Sequence, residues 1–436
     1  MTGTTLLERS TTIVHDTPSP PPATSTLHAT PTAPAAATHA VVTGVGVAAP
    51  NGLGAAAWWA AVLRGESGIA ALTRFDASRY PAKLAGEVPG FVAEEHVPSR
   101  LLPQTDQVTR LSLMAAEEAL KDAGVDPAEL PEYAAGAVTA ASAGGFEFGQ
   151  RELQALWSKG AQHVSAYQSF AWFYAVNSGQ ISIRHGLRGA SGVLVSEQAG
   201  GLDAVGQARR QLRKGASLVV TGAVDSALCP WAWAAHLAEG RISLADDPER
   251  AFLPFSADAC GYVPGEGGAL LVLESAAAAR DRQARVYGAV AGYAATFDPA
   301  DGTSRLGAAA ELALADAGVR PDEVDVVFAD GAGERAADRA EAAAITELFG
   351  PYSVPVTAPK SMTGRLAAGG ASLDLAAALF ALRDQVIPPT TGTRHPADDC
   401  PLDLVTDAPR WDTELRTALV LARGRGGFNA AAVVRA

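Results

Sequence analysis

From residue 40 onward, short apolar runs stop at glycine and hand over to longer segments of helical period. HAVVTGVGVAAPNGLG (39–54) is a β-branched run closing in glycines, and AAAWWAAVLRG (55–65) after it has the spacing of a helix. The alternation recurs. AAGAVTAASAGG (134–145), SGVLVSEQAGG (191–201), SLVVTGAVDS (217–226) and GALLVLES (268–275) are continuous apolar stretches bounded by glycine or polar residues, the pattern of strands buried on both faces. Between them lie Ala-rich segments such as LDAVGQARRQLRKG (202–215). Strands alternating with helices predict an α/β protein whose largely parallel sheet is covered on both sides.

One pattern appears twice. AAEEALKDAGVDPAEL (115–130) and AAELALADAGVRPDEV (309–324) agree at 11 of 16 positions across a shift of 194 residues. Each is an amphipathic helix that ends at glycine, has proline shortly after, and leads into an apolar strand. The repeat predicts two copies of one α/β unit, a longer one over 40–285 and a shorter one over 286–436. VYGAVAGYAATFD (286–298) would open the second as VVTGVGVAAPN opens the first.

Composition narrows the function. Apolar residues make up 48% of the chain and charged residues 19%, which suits a well-buried globular protein. A net charge of −13 argues against nucleic acid, since phosphate binding needs a basic surface. Cys229, Cys260 and Cys400 have no CxxC spacing, so neither a disulfide framework nor a metal site is expected, and reduced thiols of a cytoplasmic protein are. No apolar run reaches the length of a membrane span, and no basic-then-apolar leader opens the chain. Residues 1–39, rich in Thr, Pro, Ala and Ser, are expected to be a disordered tail.

Four segments could carry chemistry. In VSEQAGG (195–201) a strand runs through a polar tripeptide into glycines and a helix. A side chain at such an elbow sits at a helix N-terminus, where an anionic nucleophile is stabilised. The residue there is Gln198, an amide with no useful nucleophilicity, and a plain helix-start residue is the competing reading. VVFADGAGERAADRAEAAA (326–344) brings Asp330 to a glycine turn, with Asp338 and Glu341 at i, i+3 on the following helix. PKSMTGRLAAGGASLDLAAALFAL (359–382) places Lys360, Ser361, Gly364 and Arg365 before a small-residue helix. LVLARGRGGFNAAAVV (419–434) is a glycine hairpin with Phe428 and Asn429 at its tip, and it lacks the Lys-Ser/Thr of a phosphate loop.

In this order and spacing the four resemble the β-ketoacyl synthase family, over essentially all of 40–436. PFSADACGYVPGEGGALLVLE (254–274) is similar to that family's signature before the last strand of the first half. The resemblance implies a thiolase-like duplicated βαβαβ fold in five layers, α-β-α-β-α. Active members of the family present a cysteine at the elbow and a histidine in each of the two later motifs. Here those places hold Gln198, Asp330 and Arg365, and none of His96, His163, His185, His236 and His395 falls in either motif. Condensation needs a thiolate to carry the acyl chain and neutral imidazoles to hydrogen-bond the enolate formed on loss of CO2. A carboxylate at 330 would repel malonyl, and an ion pair between Asp330 and Arg365 is expected instead.

Within the family, TAASAGGFEFGQRELQALWSKG (139–160), SAYQSFAWFYAVNSGQISIRHG (165–186), RLLPQTDQVTRL (100–111) and VDSALCPWAWAAHLAEGRIS (224–243) are similar to the β-subunits of type II polyketide ketosynthases, the chain-length factors. That resemblance implies a heterodimer with a cysteine-bearing α-subunit. The poly-β-ketone would be carried on the phosphopantetheine of a separate acyl carrier protein, with no cofactor in this chain. Its chamber-lining positions fall on Phe146, Gly149 and Leu153, which share one helix face at i, i+3, i+7. Small Gly149 and modest Leu153 predict a longer aromatic polyketide. An ordinary core helix is the alternative for these three residues. SFAWFYAV (169–176), with Trp172, Phe173 and Tyr174, is expected to be channel wall, partner surface or core, as are Trp231 and Trp233. The competing function is a malonyl decarboxylase in which Gln198, with Phe428 beside it, stabilises the developing enolate. Family members of that kind keep their histidines, which this chain lacks.

Overall fold

The computed structural model describes residues 40–411 and 413–436, so the tail expected over 1–39 lies outside the described residues. In chain order the elements that matter are β1 (Ala40–Ala49), α1 (Gln107–Ala123), β2 (Ala135–Ala140), α2 (Phe146–Lys159), α3 (Val176–His185), β3 (Ser191–Leu194), α4 (Gly200–Arg213), β4 (Leu218–Asp225), α5 (Pro230–Ala238) and β5 (Gly267–Ser275). They continue with β6 (Gly288–Phe297), α6 (Leu306–Ala317), β7 (Val326–Phe328), α7 (Arg335–Phe349), β8 (Pro355–Thr357), α8 (Ala368–Asp384), β9 (Thr417–Gly424) and β10 (Phe428–Arg435).

The strands form one mixed sheet in the order β8-β7-β9-β10-β6-β1-β5-β4-β2-β3. Read outward from the centre, both arms obey one rule. The first strand of each arm pairs antiparallel with its last strand, β1 with β5 and β6 with β10. The last pairs antiparallel with the one before it, β5 with β4 and β10 with β9. Parallel strands continue each arm, β2 and β3 in one, β7 and β8 in the other, where the short strand Asp403–Leu404 pairs parallel beyond β8. The arms meet where Ala40–Val42 pair antiparallel with Gly288–Val290.

The internal repeat has a physical cause. Asp122 in α1 accepts the Val45 N–H and Asp316 in α6 accepts the Tyr293 N–H, each at 3.0 Å. A Cβ on Gly44 would run into the Ala119 carbonyl and stand 2.8 Å from the Cβ of Ala123. A Cβ on Gly292 would meet Ala313 and Ala317 in the same way. Both helices end at a left-handed glycine, Gly124 and Gly318. What repeats in sequence is therefore one helix-on-strand contact, with its acid and its glycine.

Five layers follow. Helices α1 and α3 cover the outer face of one arm, and α6 and α7 that of the other. Between the two arms lie α4 and α8. Every residue of α8 from Ala368 to Leu382 is buried, which explains an apolar pattern all the way round that helix. Close approach is permitted by small residues: a Cβ on Gly201 of α4 would stand 2.6 Å from the Ser372 N of α8.

Candidate functional site

Asp330 follows β7, whose C-terminal end delivers it to a glycine turn. Its carboxylate is fully buried and faces Arg365, which comes from the turn before α8. Arg365 Nη1 donates to Asp330 Oδ2 at 3.0 Å and Nη2 to Oδ1 at 3.4 Å. The same guanidinium donates to the Arg423 carbonyl at 2.9 Å, and the Arg423 N–H donates back to Asp330 at 3.1 Å. The expected pair therefore forms, tied to the hairpin strand β9. Burial alone would raise the Asp330 carboxyl, but Arg365, then Lys360 and Arg423, hold it below the ordinary carboxylate range.

The carboxylates at i, i+3 on α7 serve the turn. Glu341 accepts the N–H groups of Asp330 at 2.6 Å and Gly331 at 2.9 Å, and Asp338 accepts those of Phe255 at 2.8 Å and Gly333 at 3.1 Å. Burial, followed by the nearby Asp330 charge, pushes Glu341 up to about 7. Lys360 donates to the Ala329 carbonyl at 2.8 Å and pairs with Asp374 at 2.6 Å, out of solvent. These groups are spent on bracing backbone.

Gln198 is not held outward at the elbow. Glu197 before it takes φ +50°, a left-handed conformation, and the Gln198 side chain turns inward to complete burial. It packs on Gly370 of α8, where a Cβ would stand 2.8 Å from the amide oxygen. Among the described residues neither its oxygen nor its nitrogen has a hydrogen-bond partner.

Beside it opens a cavity of about 400 Å³ lined by Phe146, His236, Tyr262, Arg365, Arg425 and Phe428, among others. Gln198 is not in that lining, so the amide and Phe428 do not meet there. Phe428 instead packs edge-on against Phe297, with ring centroids 5.1 Å apart. Sequence reasoning missed His236 and Tyr262, which no motif marks; the only signal was the position of one in an aromatic helix and of the other in the glycine-rich signature. His236 Nδ1 and the Tyr262 hydroxyl lie 2.9 Å apart. Burial, then Arg425, brings His236 down to about 4, and burial, then Glu239, brings Tyr262 up to about 12. The histidine is thus neutral at ordinary pH. Asp225 also lines the cavity, raised to about 6 by burial although it accepts the Ser142 N–H at 2.7 Å.

Helix α2 carries Phe146, Gly149 and Leu153, the three residues expected to line a chamber. Phe146 reaches the cavity and stacks on Trp231, centroids 4.6 Å apart and planes inclined by 28°. Gly149 lies one turn further along, where a Cβ would be 3.6 Å from both Trp172 and Trp231. Leu153 is half-buried and outside the cavity lining. The aromatic segments divide sharply: Trp172, Phe173, Tyr174 and Trp231 are 40–46% exposed, whereas Trp233 is fully buried. Cys229 and Cys400 are buried and Cys260 is exposed. Among the described residues no cluster of acids, histidines or cysteines could hold a metal, and no helix is long and apolar enough to cross a membrane.

A duplicated five-layer α/β fold, with Gln198, Asp330 and Arg365 at its strand ends and turns, defines a thiolase-like protein. Family models agree: residues 38–279 match the β-ketoacyl synthase N-terminal domain and residues 286–394 its C-terminal domain, and the chain belongs to that family. Over 399 residues it is 59% identical to the actinorhodin polyketide putative beta-ketoacyl synthase 2 of Streptomyces coelicolor, covering 91% of this chain and 98% of that one. It is 58% identical to the tetracenomycin polyketide synthase ketoacyl synthase beta subunit of Streptomyces glaucescens, with the same coverage. Among solved structures it resembles the ishigamide ketosynthase/chain length factor, with TM-score 0.82 and 30% identity over 91% of this chain and 98% of that one. A type II acyl carrier protein in complex with its ketosynthase bound to the hexaketide matches with TM-score 0.82 and 26% identity, over 91% and 99%.

Proposed function

We propose that this chain is the non-catalytic, chain-length-determining subunit of a type II polyketide ketosynthase heterodimer. The observation that carries this reading is the Arg365–Asp330 bond, which fills with a buried ion pair the place where condensation needs two neutral imidazoles. Carbon–carbon bond formation then falls to a cysteine-bearing α-subunit, to which a carrier protein delivers malonyl and the growing chain on its phosphopantetheine. This chain supplies the wall against which the poly-β-ketone stops. Phe146, Gly149 and Leu153 on α2 set that wall, and the small residue at 149 leaves room for a longer chain.

The surface fits a subunit. Strand β3 ends the sheet, and among the described strands it pairs only with β2. Around it Val195 and Ile183 are exposed, with Trp172, Phe173 and Tyr174 nearby in sequence. An open strand edge with apolar neighbours invites pairing, and covering it with a second subunit removes the liability. The cytoplasm is the compartment of such a complex. Residues 40–285 and 286–436 are its two half-units.

Reconstitution tests the reading. With the α-subunit, the carrier protein and malonyl donor, the wild-type chain should support a full-length polyketide, and Gly149→Thr combined with Leu153→Phe should shorten it. An unchanged product would refute the role of α2. The decarboxylase reading is disfavoured by burial of Gln198 away from the cavity. Gln198→Ala should leave CO2 release from malonyl-loaded carrier protein unchanged when the α-subunit cysteine is disabled.

A further inference from the structure

The first turn of α2 has a seat of its own, built by a residue from another helix. Asp106 caps α1, its Oδ1 accepting the Val108 N–H at 3.1 Å. Its second oxygen reaches 42 residues along the chain and accepts the Phe148 N–H at 2.6 Å. That N–H belongs to the opening turn of α2, where backbone donors have no partner within their own helix, and no side chain of α2's own N-cap residue, Gly145, can supply one. Asp106 is 4% exposed and forms no salt bridge within 4 Å among the described residues, so its capacity is committed to these two helix starts.

The turn is closed from the other side as well. A Cβ on Gly145 would run into the Ala171 carbonyl, and one on Gly144 would stand 2.8 Å from the Tyr174 nitrogen. The Gly145 N–H donates to the Trp172 carbonyl at 3.1 Å. The chamber residues Phe146 and Gly149 thus hang from a turn clamped between Asp106 and the segment that also supplies Trp172.

We propose that Asp106 is a positioning residue for product length: its carboxylate fixes the seat of α2 and so the depth at which Phe146, Gly149 and Leu153 stop the chain. This rests on the chamber role of α2. A helix whose start loses one of its two anchoring bonds, here the one to a side chain, can tilt about the other, and errors near an ångström matter at a site that measures length.

Asp106→Asn and Asp106→Ser separate the two duties of the residue. Either side chain still caps α1, since Asn and Ser are as good as Asp at that position. An Asn oriented to cap Val108 turns its NH2 toward the Phe148 N–H, and a Ser hydroxyl caps Val108 and leaves Phe148 unmet. With heterodimer assembly verified by size and melting temperature, the share of off-length products in the reconstituted system should rise about tenfold, equivalent to about 1.4 kcal/mol. Total carbon incorporated should change far less, because a merely destabilised subunit lowers flux without altering the length ratio. Amide exchange on the wild-type heterodimer gives a reading that needs no variant. The Phe148 N–H should be protected like the helix interior, and exchange as fast as an ordinary first-turn amide would overturn the proposal. If Gly149→Thr with Leu153→Phe shortens the product while the Asp106 variants keep the wild-type ratio, Asp106 is only a cap. If that double variant itself changes nothing, the chamber reading has failed instead.

Discussion

Residues buried around the cavity differ in what their loss costs. Asp330 is out of solvent and the Arg365 side chain nearly so, so removing one leaves the other charged and unmatched. Asp330→Ala should destabilise the heterodimer by about 3–5 kcal/mol, read as a lowered melting temperature, whereas Asp330→Leu with Arg365→Met should recover most of that loss. Recovery failing in the double variant would mean that the Arg365 bond to the Arg423 carbonyl matters more than the pair. His236 gives a pH signature. Its folded value of about 4 lies below the ordinary histidine value, so its contribution is whole above about pH 6.5 and is lost as pH falls toward 4. His236→Asn should flatten stability against pH in that window, by up to about 1.4 kcal/mol per pH unit. A slope unchanged by the substitution would assign the titration elsewhere. Asp330 and Arg365 were legible in the motifs, but His236 was not, because only the fold brings residue 236 to Arg425 and Tyr262.

At the scale of elements, the repeated helix-on-strand contact explains why two distant stretches stayed alike. Each copy needs a glycine under the helix and an acid to take one strand N–H. Gly44→Ala and Gly292→Ala should each cost about 1–3 kcal/mol by overpacking, seen in chemical denaturation, because the clash is with helix backbone that cannot rotate away. Asp122→Asn and Asp316→Asn should cost less, since an amide oxygen still accepts. Periodicity showed these elements well, as it showed the small-residue, largely apolar α8. It did not separate Trp231 from Trp233, since alternate positions on a short helix look equally apolar whichever one faces solvent.

Across the whole molecule the decisive feature is the shared middle layer. Helix α8 follows the second half's first parallel strands yet packs on β4 and β5 of the first, and α4 from the first packs on β6 and β10 of the second. Residues 40–285 expressed alone should therefore be insoluble or unfolded, and the intact chain should melt in one transition. Two separable transitions in calorimetry would contradict a common core. The amino-acid sequence by itself determined the order of strands and helices, the duplication, and the absence of cysteine and histidine from the reactive motifs, because each is a local pattern or a residue identity. Only the tertiary structure decided that Arg365 reaches Asp330, that Gln198 turns inward onto Gly370, that His236 lines the cavity, and that Asp106 seats α2. Each of these is a contact between distant parts of the chain, set by how layers stack and not by any spacing along it.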